Sequence, residues 1–170
     1  EKLFEEYRSP NLNTVCCRFG NVAWSNGSVL PFWLNVKVSN KPLPITDINM
    51  TRLIFTSQDA ARLINKSIIL TDDLDSFFIL SKKMKACKML DLACLISVET
   101  TIIGLRPGEI LSEDLISSKE VKYAYQLIDD KAEYIVIIKN SESNLLGEKL
   151  TSPVNSITAE KMNKEEMIIL

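Results

Sequence analysis

The chain of 170 residues has no histidine and only five glycines, at positions 20, 27, 104, 108 and 147. Without histidine the four cysteines lack the partner that completes a familiar zinc set, and no metal site is expected. The glycines never form Gly-x-Gly-x-x-Gly after a strand, so the fingerprint that cradles a dinucleotide pyrophosphate is missing. No apolar run reaches the roughly 18 residues needed to cross a bilayer, so no membrane span is expected. Glu1-Lys2-Leu3-Phe4-Glu5-Glu6 has neither the basic start nor the apolar centre of a signal peptide. The chain does not begin with Met, and residues upstream are expected. No basic excess exists either: 20 Lys and Arg stand against 22 Asp and Glu. The resulting net charge of −2 argues against broad nucleic-acid binding, which needs a surface that neutralises many phosphates. There is no internal repeat and no low-complexity tract.

What is present is an ordinary globular composition, 46% apolar and 25% charged, with mass enough for one domain or one large lobe. Cys16 and Cys17 are adjacent on an expected strand and point to opposite faces. Cys87 and Cys94 are seven apart and could share a helix face. All four read as buried free thiols of a reducing cytoplasm. The sequons at Asn26, Asn49 and Asn65 read as chance in the absence of a secretory signal.

Hydrophobic periodicity predicts a helix over residues 1–8 ending near Ser9-Pro10-Asn11, and a strand over 14–18. A helix is expected over 29–38, an extended piece and turn over 43–47, and a strand over 50–55. A longer helix should run from Thr56-Ser57-Gln58-Asp59 to about 70, followed by an acidic turn over 71–75 and a strand over 77–80. Residues 81–85 read as a solvated basic loop, 89–96 as a helix and 100–103 as a strand. A turn follows at Arg106-Pro107-Gly108-Glu109, then a short irregular strand over 111–116, a short helix over 118–125 and a strand over 134–139. The polar stretch Asn140-Ser141-Glu142-Ser143 leads to a helix beginning near Met162. Strands and helices alternate as in an α/β layer.

The run from Arg18 to Pro31 organises this pattern. A β-branched and Cys strand stops at Gly20, passes through a polar loop, and restarts as a helix at Ser28. In α/β folds such a loop at the carboxyl end of a strand is where ligands sit, and free N–H groups at a helix start favour an anion such as phosphate. Taken singly, the side chains here have plainer readings. An isolated Arg is a solvated charge or ion pair, Asn26-Gly27 and Glu109 are turn residues, and Trp24 and Trp33 are packing residues. Arg18, on the strand itself, reads as an internal or surface ion pair.

Four segments change the picture together: Arg18-Phe19-Gly20-Asn21-Val22, Gly27-Ser28-Val29-Leu30-Pro31, Met50-Thr51-Arg52 and Arg106-Pro107-Gly108-Glu109. In this order, over nearly the whole chain, they resemble the carboxyl-terminal half of the UDP-N-acetylglucosamine 4,6-dehydratases. These belong to the extended short-chain dehydrogenase/reductase superfamily and serve bacterial polysaccharide and nonulosonic-acid biosynthesis. The wording from Asn21 to Pro31 is most similar to the branch that feeds legionaminic-acid-type sugars. The resemblance implies an α/β fold, the carboxyl-terminal part of an NAD(P)-binding Rossmann-type enzyme with its substrate lobe. Residues 1–28 would end the Rossmann part, 29–139 form mostly the substrate lobe, and 140–170 a polar tail opening a helix.

The function implied is oxidation of the hexose at C4 by bound NADP or NAD, elimination of water across C5–C6, and return of the hydride to C6. The catalytic Tyr-x-x-x-Lys pair is expected upstream of Glu1, so no catalytic residue is assigned and the chain alone is expected to be inactive. The UDP-sugar is expected at Asn21, Ser28, Val29, Thr46, Arg52, Arg106 and Glu109. Arg52 and Arg106 supply planar donors for phosphate oxygens. Glu109 accepts from ribose hydroxyls, Asn21 donates an amide, and Ser28 and Val29 offer backbone N–H groups. Thr46 lies toward the uracil, and Phe19 toward the nicotinamide, where the family more often has Tyr. Departures are Leu53 for an aromatic, and Ile110 and Ser112 for a common Lys and His. The segment between Asp91 and Gly104 is also a few residues short. The family's oligomers suggest a homo-oligomer by analogy. Two other readings stay open: a UDP-N-acetylglucosamine 4-epimerase, and a non-catalytic remnant that binds a nucleotide sugar or a partner protein.

Overall fold

The computed structural model describes residues 1–7, 9, 11–74, 76–129, 132–139 and 146–170, with residue 128 described by its backbone only. Pro10, Asp75 and the polar stretch Asn140-Ser141-Glu142-Ser143 lie outside the described residues. In chain order the elements begin α1 (Lys2–Glu6), β1 (Val15–Arg18), β2 (Asn21–Val22), α2 (Val29–Val38), β3 (Leu43–Ile45) and β4 (Thr51–Phe55). Next come α3 (Ser57–Asp73), β5 (Phe78–Lys82), β6 (Ala86–Lys88), α4 (Met89–Ile96), β7 (Thr100–Ile102) and β8 (Asp114–Ile116). A 3-10 turn at Val121–Tyr123 precedes β9 (Ala124–Asp129), β10 (Ala132–Ile138), β11 (Val154–Asn155) and α5 (Lys164–Ile168). Helices and strands alternate with both parallel and antiparallel pairs, so the fold is mixed α/β. The chain divides into two units.

The first unit comprises Glu1–Phe19, Gln58–Lys83 and Leu115–Val154. Its sheet has the order β1-β5-β10-β9, with β1 parallel to β5 and the other pairs antiparallel. The two middle strands carry Phe78-Ile79-Leu80 and Tyr134-Ile135-Val136-Ile137-Ile138, buried residue after residue. An uninterrupted apolar run is what a strand covered on both faces requires. Helix α3 buries Leu63, Ser67 and Leu70, one face at spacings of four and three.

Several expectations are corrected here. Helix α3 continues through Asp73, where an acidic turn was expected, because Leu74 beyond it is buried and donates its N–H to Leu70 O at 2.8 Å. Strand β5 takes in Ser81 and Lys82, which the basic loop was to contain. Ser81 is buried opposite Ile135, and Lys82 and Lys83 form ion pairs with Asp59 and Glu133. The helix expected over 118–125 gives way to the 3-10 turn and β9. There Tyr125 pairs opposite Val136, and the strand partner outweighs a short and weak helical period.

The second unit comprises Gly20–Ser57, Met84–Asp114 and Asn155–Leu170. Strands β2, β4 and β6 form one sheet, in which Asn21 lies opposite Ile54 and Arg52 opposite Cys87. Strands β3 and β7 form a separate parallel pair. Leu30 and Trp33 of α2, Leu43 and Ile45 of β3, Met50, and Met89, Leu92 and Ala93 of α4 make the core. Trp33 is buried with its indole N–H donated to Pro44 O at 3.0 Å, so its one polar atom is satisfied. Trp24 corrects the packing expectation: it is 49% exposed, with φ of 64°. Only Cys87 is buried; Cys94 is exposed, Cys16 and Cys17 are half-buried, and all four are free thiols. Strand β6 was missed because three residues are too few to show a period; its backbone partners on β4 and at Lys161 define it. Helix α5 opens on a capping box between Asn163 and Glu166, and Lys85 joins Glu160 and Glu166. Among the described residues no helix is long and apolar enough to cross a membrane, and no cluster could hold a metal ion.

Arg18 ties three segments of the first unit. It donates to Leu115 O at 2.8 Å and to the carboxylates of Glu1 and Glu120. The Arg18 guanidinium beside Glu120 is the main reason its carboxyl is held down to about 2; burial opposes this, and the Ser117 hydroxyl and N–H assist it. A depressed carboxyl stabilises the fold above its unfolded value and ceases to do so as pH falls through the folded one. The contribution should therefore be complete above about pH 4.5 and vanish toward pH 2. Glu120→Gln should cost roughly 1–2 kcal/mol at neutral pH and flatten the stability curve in that window. Urea unfolding of both forms from pH 2 to 7 measures it, and parallel curves would contradict it.

Candidate functional site

Two glycine turns frame a cavity of about 640 Å³ in the second unit. In the first, Ser28 N–H donates to Ser25 O at 3.0 Å, with Gly27 at φ 78°. In the other, Glu109 N–H donates to Arg106 O at 3.0 Å, with Gly108 at φ 82°. Neither Asn26 nor Pro107 has a positive φ, so both are type II turns, whose third position favours glycine. The first turn delivers the chain to the start of α2, and the second holds the Glu109 carboxylate over its own beginning. Glu109 accepts the Arg106 N–H at 3.1 Å and the Thr46 hydroxyl at 3.3 Å.

Asn21, Ser28, Val29, Thr46, Arg52, Arg106 and Glu109 all line this cavity. Its apolar wall comes from core side chains, including Trp33, Met50, Met89 and Leu92. Phe19 lies in the first unit, is 43% exposed, and is not among the lining residues.

The seven lining residues differ in what they have left to offer. Ser28 spends its N–H on the first turn, so that group is not open to a ligand. Its Oγ is buried with no hydrogen-bond partner among the described residues, and α2 has no side-chain cap. Pro31, at the third helical position, has no N–H and so removes one of the two usual partners of a capping hydroxyl; the other, the Leu30 N–H, is not bonded to it. Arg106 is exposed, and its guanidinium makes no hydrogen bond or ion pair among the described residues.

Arg52 is the opposite case, with a side chain only 13% exposed. It donates to Thr51 O at 2.9 Å, Ile110 O at 2.9 Å and Leu111 O at 3.4 Å, and its Nε lies 3.4 Å from Glu113 Oε1. Most of its five donors are thus engaged by the protein. Asn21 gives its amide to Glu113 Oε2 at 2.7 Å and Leu53 O at 3.1 Å.

Glu113 went unnoticed in the sequence, where it falls in a segment read as an irregular strand and belongs to no motif. Its backbone N–H is received by the Ser156 hydroxyl at 2.8 Å. Ser156, fully buried and also bonded to Thr51, was missed as well.

An apolar wall with few placed polar groups and a helix start at its edge is the make-up common to small-molecule pockets of α/β folds. Residues 1–138 match the family described as polysaccharide biosynthesis protein, and the chain belongs to that family. It is 29% identical over 163 residues to an uncharacterized membrane protein of Methanocaldococcus jannaschii, covering 88% of this chain and 46% of that one. It is 31% identical over 140 residues to a UDP-N-acetylglucosamine 4,6-dehydratase (inverting) of Campylobacter jejuni, covering 78% and 41%. To a UDP-glucose 4-epimerase of Rickettsia massiliae it is 33% identical over 129 residues, covering 72% and 37%. The X-ray structure of Pen from Bacillus thuringiensis superposes with a TM-score of 0.75 at 25% identity, covering 91% of this chain and 48% of that one. The chain spans less than half the length of each. The resemblance to the dehydratases, read from four motifs, extends over most of the sequence.

The Gly108 turn gives a direct test of the frame. A Cβ at Gly108 would meet nothing within 4 Å, so Gly108→Ala suffers only the cost of its φ, +82°. That cost is about 1 kcal/mol. The expected outcome is faster amide exchange over residues 106–111 with little change in the global unfolding midpoint. A midpoint collapse, or unaltered exchange, would show that the turn does not act locally.

Proposed function

We propose that the cavity is the UDP-sugar site of a nucleotide-sugar 4,6-dehydratase acting on UDP-N-acetylglucosamine, in bacterial polysaccharide or nonulosonic-acid biosynthesis. One observation carries this reading: Arg106, whose guanidinium has no partner among the described residues, and Ser28 and Val29, at the start of α2, line a single cavity, and the buried Ser28 hydroxyl behind that wall has no partner among those residues either. A diphosphate needs such a set, because it carries several acceptors and negative charge. Arg106 takes a phosphate in this reading, the Ser28 hydroxyl and Val29 N–H take another oxygen, and Asn21 borders the same region. Glu109, already beside Thr46, accepts from the ribose hydroxyls. The apolar wall suits the flat base.

The residues of this chain lack the glycine fingerprint of a dinucleotide site, and Phe19, the residue that the resemblance links with the nicotinamide, is not part of this cavity's wall. No step is therefore routed through NADP or NAD, and in this reading the cofactor and the acid and base groups belong to the remainder of a longer enzyme. The similarity to a UDP-glucose 4-epimerase supports a second reading with the same nucleotide contacts. Loss of water from the sugar, followed by mass spectrometry with the longer enzyme, separates dehydratase from epimerase.

Calorimetry with UDP and uridine tests the site itself. The chain should bind UDP, and Arg106→Ala should weaken that binding by about 1–3 kcal/mol while leaving uridine binding and thermal stability nearly unchanged. Absence of UDP binding by the unaltered chain, or equal affinity in the variant, would overturn the assignment.

A further inference from the structure

The geometry points to Glu113 as the positioning residue of this site, a role that rests on the nucleotide-sugar reading and extends it to a residue outside the four motifs. Glu113 is not part of the cavity wall, yet its carboxylate engages two side chains that are. One oxygen accepts the Asn21 amide at 2.7 Å and the Leu53 N–H at 3.3 Å; the other lies 3.4 Å from Arg52 Nε. Those contacts orient the Arg52 guanidinium so that its far edge meets Ile110 O at 2.9 Å and Leu111 O at 3.4 Å. These carbonyls directly follow the turn that carries Arg106 and Glu109. Glu113 is itself held, its N–H donated to Ser156 Oγ and its carbonyl receiving the Ser156 N–H, each at 2.8 Å.

A chain of contacts thus runs from Ser156 through Glu113 and Arg52 to the loop over residues 106–111. Arg52, the more enclosed of the two site arginines, acts as a strut with its donors turned to the protein. Arg106, on the strutted loop, is left open to an anion. The arrangement explains how a carboxylate can stand beside a site for a negatively charged ligand: it fixes the donors without facing the cavity.

The sign of a charge-removing substitution decides the matter. Were Glu113 only a nearby negative charge, Glu113→Gln would relieve repulsion and tighten UDP binding. As a positioning residue, its replacement should weaken UDP at least fivefold and uridine similarly, because the Glu109 side of the loop is displaced along with Arg106. Calorimetry with UDP and uridine should be paired with amide exchange over residues 106–111 and with the Arg52 Nε–Hε resonance in the ligand-free chain. Faster exchange and a shifted resonance are expected. Tighter or unchanged UDP binding in Glu113→Gln would overturn the role. If Glu113→Gln does not fold, Arg52→Lys replaces it, since lysine keeps the charge and lacks the planar fork. It should loosen the same loop, and unaltered exchange would overturn the proposal. If the unaltered chain binds no UDP, the nucleotide-sugar reading fails alone. Exchange and the Arg52 resonance then decide on Glu113, unchanged values overturning its hold on the loop.

Discussion

A guanidinium that is nearly enclosed must find partners for its N–H groups, and in the second unit that demand falls on Arg52. With its side chain 13% exposed, it can neither shed its charge nor leave several donors unmet without a cost of a few kcal/mol. The chain meets the demand with one carboxylate and three carbonyls, two of them from the segment after β7. That segment has no helix between Ile102 and Asp114 to stiffen it. Its shape is set by a Pro-Gly turn, by Glu109 folded back on that turn, by the Thr51 N–H donated to Leu111 O at 2.9 Å, and by Arg52. The place of Arg106, the arginine of the cavity wall whose guanidinium has no partner among the described residues, is a consequence of these four ties.

The distribution of order within the second unit follows from the same economy of partners. Its core is assembled from α2, β3 and α4, and several of those side chains also form the cavity wall. A wall shared with the core is rigid, because close-packed side chains have little room to shift. Polar groups enter from two turns and from the strand ends. Such a division, an apolar wall with few placed polar groups, is general for small-molecule pockets. Here it gains a particular feature at Ser28, one of whose two usual cap partners is removed by Pro31 and which leaves the start of α2 without a side-chain cap.

Elements with a clear period and a marked boundary could be read directly from the sequence. Helices α2 and α4 have the expected limits, the first bounded by Ser28 and the second by the end of its apolar face. The four motifs named six residues, and the extended piece over 43–47 a seventh, Thr46, that the fold brings to one cavity, since most of them sit at turns and strand ends where local sequence governs conformation. What could not be read depends on distant partners. Strands β6 and β9 exist because β4 and β10 offer them free edges. Glu113 and Ser156 matter through contacts with residues 21, 51 and 52, and nothing local marks a glutamate or serine for that purpose. The difference between the two arginines was likewise invisible, because donor engagement is a property of neighbours and not of residue type.

That difference changes the electrostatics of the proposed site. Two arginines and one glutamate suggest a strongly cationic pocket, but Arg52 is matched by Glu113, and Glu109 turns its charge toward an N–H and a hydroxyl. Arg106 is then the cation with no protein partner among the described residues lining the cavity. Being exposed, it acts across water, where interactions fade over a Debye length of about 10 Å at 0.1 M salt. A diphosphate would owe much of its hold to directed groups, the Ser28 hydroxyl and the α2 N–H, which salt screens less than a free surface charge. In the proposed reading, selectivity for a nucleotide sugar over simple anions would come from the rest of the ligand, through a ribose contact at Glu109 and the apolar wall. This is the division of labour expected of a pocket that recognises shape and hydrogen-bond pattern more than charge.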